Sequence, residues 1–245
     1  MDYLKLNDVT IFVRNGATIK QNKENRNGYP ITRIETLSND KFNYDRLGYA
    51  SIFDEKYSDY YLKDGDVLLS HINSEKFLGR SVMYKDIGFG NIIHGMNLLN
   101  IRFKTNYLPK YFEYYARSSI AKRYFIKNTK HAVNQASISS TAIKNMPIPN
   151  VTLDVQKKVV ISLNIIDNAI NSKQKQFILL DELIKSRFIE MFGDPNVNPK
   201  KWPNGKINDI AKCVVGATPK TSIDEYWNNG TIPWLSSGEV NKYKI

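Results

Sequence analysis

The spacing of apolar positions changes twice along the chain. Up to about Asn150, short apolar runs alternate with turn-forming clusters, and stretches such as "DGDVLLSHI" and "NIIHGMNLLNIRF" predict strands between turns. One segment there keeps a different period. From Pro109 to Asn128, Tyr111, Tyr114, Tyr115, Ile120, Tyr124 and Phe125 approximate a helical stripe, which predicts a mixed domain with one helical stretch. The second change follows "MPIPN", where Pro147 and Pro149 forbid helix and Thr152 offers an N-cap. Val155, Val159, Leu163, Ile166, Ile170, Lys173, Phe177, Leu180, Ile184 and Arg187 then recur at alternating steps of three and four after the first two, a heptad seam with polar interruptions. A helix from Leu153 to about Phe192 would be roughly 60 Å long at about 1.5 Å per residue. Gly193 and Pro195 in "FGDP" supply its stop. Such a helix outruns one small domain, so its seam needs a partner helix.

Beyond the linker "NVNPKKWPNG" the pattern of the first residues returns. Lys-apolar-Asn-Asp-apolar occurs at Lys5 to Val9 and again at Lys206 to Ile210, and Gly-Ala-Thr follows at Gly16 to Thr18 and at Gly216 to Thr218. "YPITRIETLSNDKF" from Tyr29 parallels "IPWLSSGEVNKYKI" from Ile232. Several collinear matches, offset by about 200 residues, identify a duplicated domain. The predicted organisation is therefore α+β: a mixed domain over residues 1–150, a long coiled-coil helix over 151–193, and a linker with the truncated start of a second copy over 194–245.

Charge narrows the partners. The 245 residues hold 35 Lys and Arg against 24 Asp and Glu, a formal net charge of +11 that favours a polyanion. The excess is local. Between Lys104 and Lys144 eight Lys or Arg face the single acid Glu113. Cys213 is the only cysteine, which excludes an intramolecular disulfide and a Cys-based zinc site within one chain. The N-terminus lacks a signal-peptide core, and no window approaches the roughly 18 apolar residues of a membrane span, so the expected compartment is the cytoplasm and no membrane partner is expected. Catalytic signatures are missing too. "GDPN" at Gly193 to Asn196 lacks the second proline and the aromatic of a base-flipping methyltransferase motif, and there is no Walker loop. His71, His94 and His131 are widely separated and no paired-acid motif joins them. The chain is expected not to be an enzyme.

"GDVLLSHI" (Gly65 to Ile72), "NQASIS" (Asn134 to Ser139), "IPNVTLDVQKKVV" (Ile148 to Val160) and the helix ending "LLDELIKSRFIEMFGDP" together resemble the specificity subunit of type I restriction–modification systems. One departure is Val155 before Gln156, where that family tends to carry Glu. The resemblance implies a target recognition domain that binds double-stranded DNA and a helix that docks adenine methyltransferase subunits. It implies no cofactor in this chain: S-adenosylmethionine belongs to the methyltransferase subunits, and ATP to the motor-nuclease subunit. A complete subunit of this kind holds two recognition domains apart with two antiparallel helices and reads a bipartite site. With one such helix, two copies of the chain are expected to pair head to tail.

Two polar stretches offer candidate side chains for reading DNA, since forked or bidentate groups read base edges while Lys, Arg and small polar groups hold phosphates. "LSHINSEKFLGRS" offers Ser70, His71, Asn73, Ser74, Lys76 and Arg80. "KNTKHAVNQASISS" offers Lys127, Lys130, His131, Asn134, Gln135, Ser137 and Ser139, with Lys122 and Arg123 just before it. Asn134 and Gln135 suit adenine and Arg80 suits guanine. Bland readings stand beside these. Asn134, Gln135 and Ser137 can equally organise turns, the lysines can form a solvated helix face, and His71 and His94 are of a kind often buried. Asp64 and Asp66 around Gly65 read as a turn. A second functional reading also stays open, in which the chain is a helical dimerisation scaffold or regulator that does not itself read DNA.

Overall fold

A computed structural model describes residues 2–22, 27–53, 55–131, 135–232, 234–236 and 238. Asn134 and much of the predicted second repeat after Ile232 lie outside the described residues. The chain divides into two units, Met1–Ile178 and Leu179–Ile245.

The first unit opens with strands β1 (Tyr3–Lys5), β2 (Thr10–Asn15), β3 (Gln21–Asn22), β4 (Pro30–Ile31), β5 (Leu37–Ser38), β6 (Lys41–Phe42) and β7 (Gly48–Ala50). Strands β8 (Val67–Ser70), β9 (Ile72–Asn73), β10 (Ser81–Met83) and β11 (Leu98–Phe103) precede helices α1 (Pro109–Arg117) and α2 (Ser119–Lys127). Short strands β12 (Lys130–His131) and β13 (Ala136–Ser137) lead through helix α3 (Ser140–Lys144) and strand β14 (Pro147–Pro149) into helix α4 (Leu153–Phe192). β1 pairs with β14, so the first residues close the domain against the segment that launches the long helix.

The centre is an antiparallel sheet in the order β10-β8-β11-β2. Its apolar runs "VLL" and "LLNI" are uninterrupted because the sheet is covered on both faces. On one face Val13, Val67, Leu69, Leu99 and Ile101 pack with Phe112, Ala121, Phe125 and Ile143 of α1, α2 and α3. On the other, Leu68, Val82 and Leu98 pack with Leu37, Leu47, Tyr84 and Ile92. The predicted Asp64 to Asp66 turn holds more than a turn. Gly65 takes φ 84°, and the buried Asp66 carboxylate accepts from Arg102 Nε and Nη2, each at 2.7 Å, and from Asn100 Nδ2 at 3.0 Å.

The helical stretch predicted over Pro109 to Asn128 is two helices. Ser118 breaks it, with ψ 156°, and its Oγ accepts from Ala121 N at 3.2 Å, capping α2. A serine offers the backbone this local alternative to continuing the helix. Ile120 falls outside the stripe and is exposed, while Tyr111, Tyr114 and Phe125 are buried.

α4 spans Leu153–Phe192, as its heptads predict, and ends at Gly193 with φ 82°. Trp202 Nε1 donates to Phe192 O at 2.8 Å, and Lys200 Nζ donates to Met191 O, so side chains satisfy the last carbonyls. Only the start of the helix is packed. Gln156 is fully buried: its Oε1 accepts from Leu108 N at 2.7 Å and its Nε2 donates to Val151 O at 3.0 Å. Two to three turns later Tyr114 Oη reaches Asn164 Oδ1 at 2.7 Å, and Arg117 bridges Asp167 at 3.0 Å and the buried Glu113 at 2.7 Å. Val159, predicted as seam, packs instead against the domain core. Further along, Ile166, Ile170, Phe177, Leu180 and Ile184 are exposed.

In the second unit a short helix α5 (Ile207–Ile210) follows, and its cap repeats that of the first residues. Lys206 N donates to Asp209 Oδ2 at 2.8 Å, as Lys5 N donates to Asp8 Oδ2 at 3.0 Å. The repeated Lys-apolar-Asn-Asp thus makes one local structure twice. In the first copy Leu6 and Val9 are buried in the core; in the second Ile207 and Ile210 are exposed.

Candidate nucleic-acid interface

The two polar stretches singled out in the sequence meet in one sheet. β13 lies between β12 and β9, with Lys130 opposite Ser137, His131 opposite Ala136, and Ala136 opposite Asn73. Ile138 N donates to His71 O at 2.8 Å, which ties this ribbon to the end of β8. Beside the ribbon, the turn Glu75–Phe77 leads to Gly79, whose φ is 76°. A Cβ at Gly79 would stand 2.1 Å from the Phe125 ring, so only glycine lets this loop lie flush on α2. Lys76, Leu78, Lys122 and Phe125 line the resulting groove, a cavity of about 430 Å³.

Charge on this surface is predominantly positive, with Glu75 the acid among the residues that line the groove. No Asp or Glu occurs between Glu113 and Asp154. Lys122, Arg123, Lys127, Lys130 and His131 are exposed, and among the described residues none of them makes an ion pair. Such a field attracts a polyanion and releases its counterions.

The structure sorts the remaining candidates. Lys76 and Gln135 are exposed and Ser137 is half-buried on the ribbon. Ser70 and His71 are both buried, at 1% and 5% exposure: Ser70 ends the central strand β8 and His71 follows it directly. Burial holds the His71 imidazole down to about 4, so it is neutral at neutral pH, and among the described residues its Nδ1 has no partner. Asn73 is half-buried and engaged at both ends, Nδ2 donating to Ser70 Oγ at 3.1 Å and Oδ1 accepting from Ser74 N at 2.8 Å. Arg80 is likewise committed. It pairs with Asp40 at 3.3 Å, donates to Leu37 O at 3.1 Å and stacks over Phe77, so its fork stiffens the loop instead of standing free for guanine. Ser139 caps α3 by accepting from Ala142 N at 3.1 Å. Asn134 lies outside the described residues.

His94 is a core histidine. Its Nε2 lies 2.7 Å from Leu98 O, and burial lowers its pKa to about 4 against the opposing pull of that hydrogen bond. Sequence reasoning missed Gly79, although a glycine directly before Arg80 in a basic loop was a readable signal for positive φ.

Comparison with known proteins places this arrangement. Residues 1–180 match the family model described as the type I restriction modification DNA specificity domain. The type I restriction enzyme MjaX specificity subunit of Methanocaldococcus jannaschii is 38% identical over 94% of the chain and 57% of its own length. The EcoKI specificity subunit of Escherichia coli is 27% identical over 60% of the chain and 32% of its own length. Among solved structures, a type I restriction–modification system chain superposes with a TM-score of 0.55 at 18% identity, covering 76% of this chain and 43% of its own length. The S subunit from M. genitalium superposes with a TM-score of 0.53 at 11% identity, covering 82% and 48%. The chain thus spans about half the length of these last two structures and of MjaX. On the strength of the family match over residues 1–180, the chain belongs to the type I restriction–modification DNA specificity family.

Proposed function

We propose that this chain is a non-catalytic specificity subunit, or the part of one, that reads one half of a bipartite DNA target and docks adenine methyltransferase subunits. The observation that carries this reading is the β9-β13-β12 ribbon, which joins two distant polar stretches into one predominantly basic surface with α2. Lys76, Lys122, Arg123, Lys127 and Lys130 hold phosphates, and Gln135, with Asn134, Ser137 and His131, supplies the base-edge groups. S-adenosylmethionine acts on the methyltransferase subunits and ATP on a motor-nuclease subunit, and the assembly works on DNA in the cytoplasm. The exposed row Ile166, Ile170, Phe177, Leu180 and Ile184 pairs with a second long helix, supplied head to tail by another copy of this chain.

Methylome sequencing tests the reading. Cells expressing the methyltransferase partner together with this chain should methylate an interrupted adenine motif that is missing without it. The combined Lys130→Gln and Gln135→Ala variant should lose that motif, and an unchanged methylome in either comparison overturns the reading.

A further inference from the structure

A second polar loop leaves the central sheet at the end from which the ribbon leaves. Asn15, the last residue of β2, lies opposite Leu99, and Leu98 lies opposite Ser70 at the end of β8. Only β11 separates β2 from β8, so the two exits are about 10 Å apart at the usual strand spacing. From Asn15 the chain runs Gly16-Ala17-Thr18-Ile19-Lys20. Packing explains its first two residues. A Cβ at Gly16 would stand 2.3 Å from the Gly95 backbone, and the buried Ala17 donates its N–H to His94 O at 2.7 Å. Packing does not explain Thr18 and Lys20. Both are exposed, and among the described residues neither side chain makes a hydrogen bond or an ion pair.

The pattern nevertheless recurs. The second copy reads Gly216-Ala217-Thr218-Pro219-Lys220, with Thr and Lys at the same spacing, and both side chains are again exposed. The position between them varies from Ile19 to Pro219. Two copies of a domain that diverge elsewhere keep what both need, and an exposed hydroxyl two residues from an exposed ammonium serves no core. Hydroxyls and ammonium groups are among the side chains that hold phosphates. Contacts to phosphate carry no sequence information, so they are the contacts that two recognition domains with different targets can share.

We infer that the Gly-Ala-Thr-x-Lys loop is a sequence-independent phosphate contact, in which the Thr18 hydroxyl and the Lys20 ammonium hold the DNA backbone beside the base-reading ribbon. This contact rests on the DNA-binding reading proposed above. The full chain, titrated by fluorescence anisotropy against one A·T-rich and one G·C-rich duplex over a range of salt, separates the two. Lys20→Gln should flatten the slope of log K against log salt by about 0.9, equally on both duplexes, and Thr18→Val should weaken both equally. Lys85→Gln, at the opposite end of the sheet beyond the Met83–Val67 pair, should keep the wild-type slope. Lys20→Gln with a wild-type slope, while Lys130→Gln still weakens binding, overturns the loop contact and leaves the ribbon standing. An equal loss in Lys85→Gln overturns it as a mere effect of net charge. Failure of the unaltered chain to bind either duplex overturns both readings.

Discussion

His71 sits at the joint between the central sheet and the ribbon, and His94 lies buried a short way along the same end. Both imidazoles are held by burial at about 4, below the ordinary 6.5. The unfolded chain therefore takes up protons near pH 6.5 that the folded chain refuses until about pH 4. Stability should be full above pH 6.5 and fall as the pH drops toward 4, by on the order of 3 kcal/mol for each histidine. Urea midpoints at neutral pH and near pH 5 should show this fall in the wild type and a flatter dependence in His71→Gln. An equal fall in the variant would remove His71 from the account. Residue types were legible in advance; their exposure was not. "LSHI" looks the same whether its Ser and His point into a loop or into a core. What decides is that Ser70 pairs across the sheet with Leu98, inside two covering layers.

At the scale of elements, the long helix was the most legible feature because its period is local and persists over many turns. Its docking was less so. Gln156, part of the motif "IPNVTLDVQKKVV", proves to be the buried plug that satisfies Leu108 N and Val151 O. Gln156→Ala leaves those groups unpaired and should cost about 3 kcal/mol, read as a lower urea midpoint, whereas an exposed neighbour such as Lys157→Ala should change little. The departure at Val155 has no matching consequence, since that side chain is exposed. The ribbon strands hold two residues each, too few for any period to register, and β13 gains its partner β9 from far away in the sequence. The break at Ser118 escaped for a related reason. The aromatic stripe runs across it, and only the capping bond to Ala121 shows that the backbone stops.

At the scale of the whole molecule, the exposed apolar row on α4 sets a test of assembly. Phe177 and Ile184 are 67% and 60% exposed, so at concentrations too low for pairing Phe177→Glu or Ile184→Lys should leave the chain's melting temperature nearly unchanged, within about 0.5 kcal/mol in stability. The same substitutions should abolish helix pairing, read as a loss of dimer by light scattering. A wild-type chain that stays strictly monomeric, alone and with the methyltransferase, would rule the pairing out. The duplication works at this scale too. Identical caps at Asp8 and Asp209 form from the same short pattern, yet only Leu6 and Val9 find a core to enter.

The sequence by itself determined the long helix, its stop, the heptad row, the internal repeat and the basic stretch, because each is written in neighbouring residues or in their sum. The tertiary structure alone decided which polar residues reach solvent, that Arg80 is tied to Asp40 and Leu37, and that two separate stretches form one ribbon. Burial and strand pairing depend on partners distant in the chain, and no local pattern of hydrophobic and polar positions encodes which partner arrives.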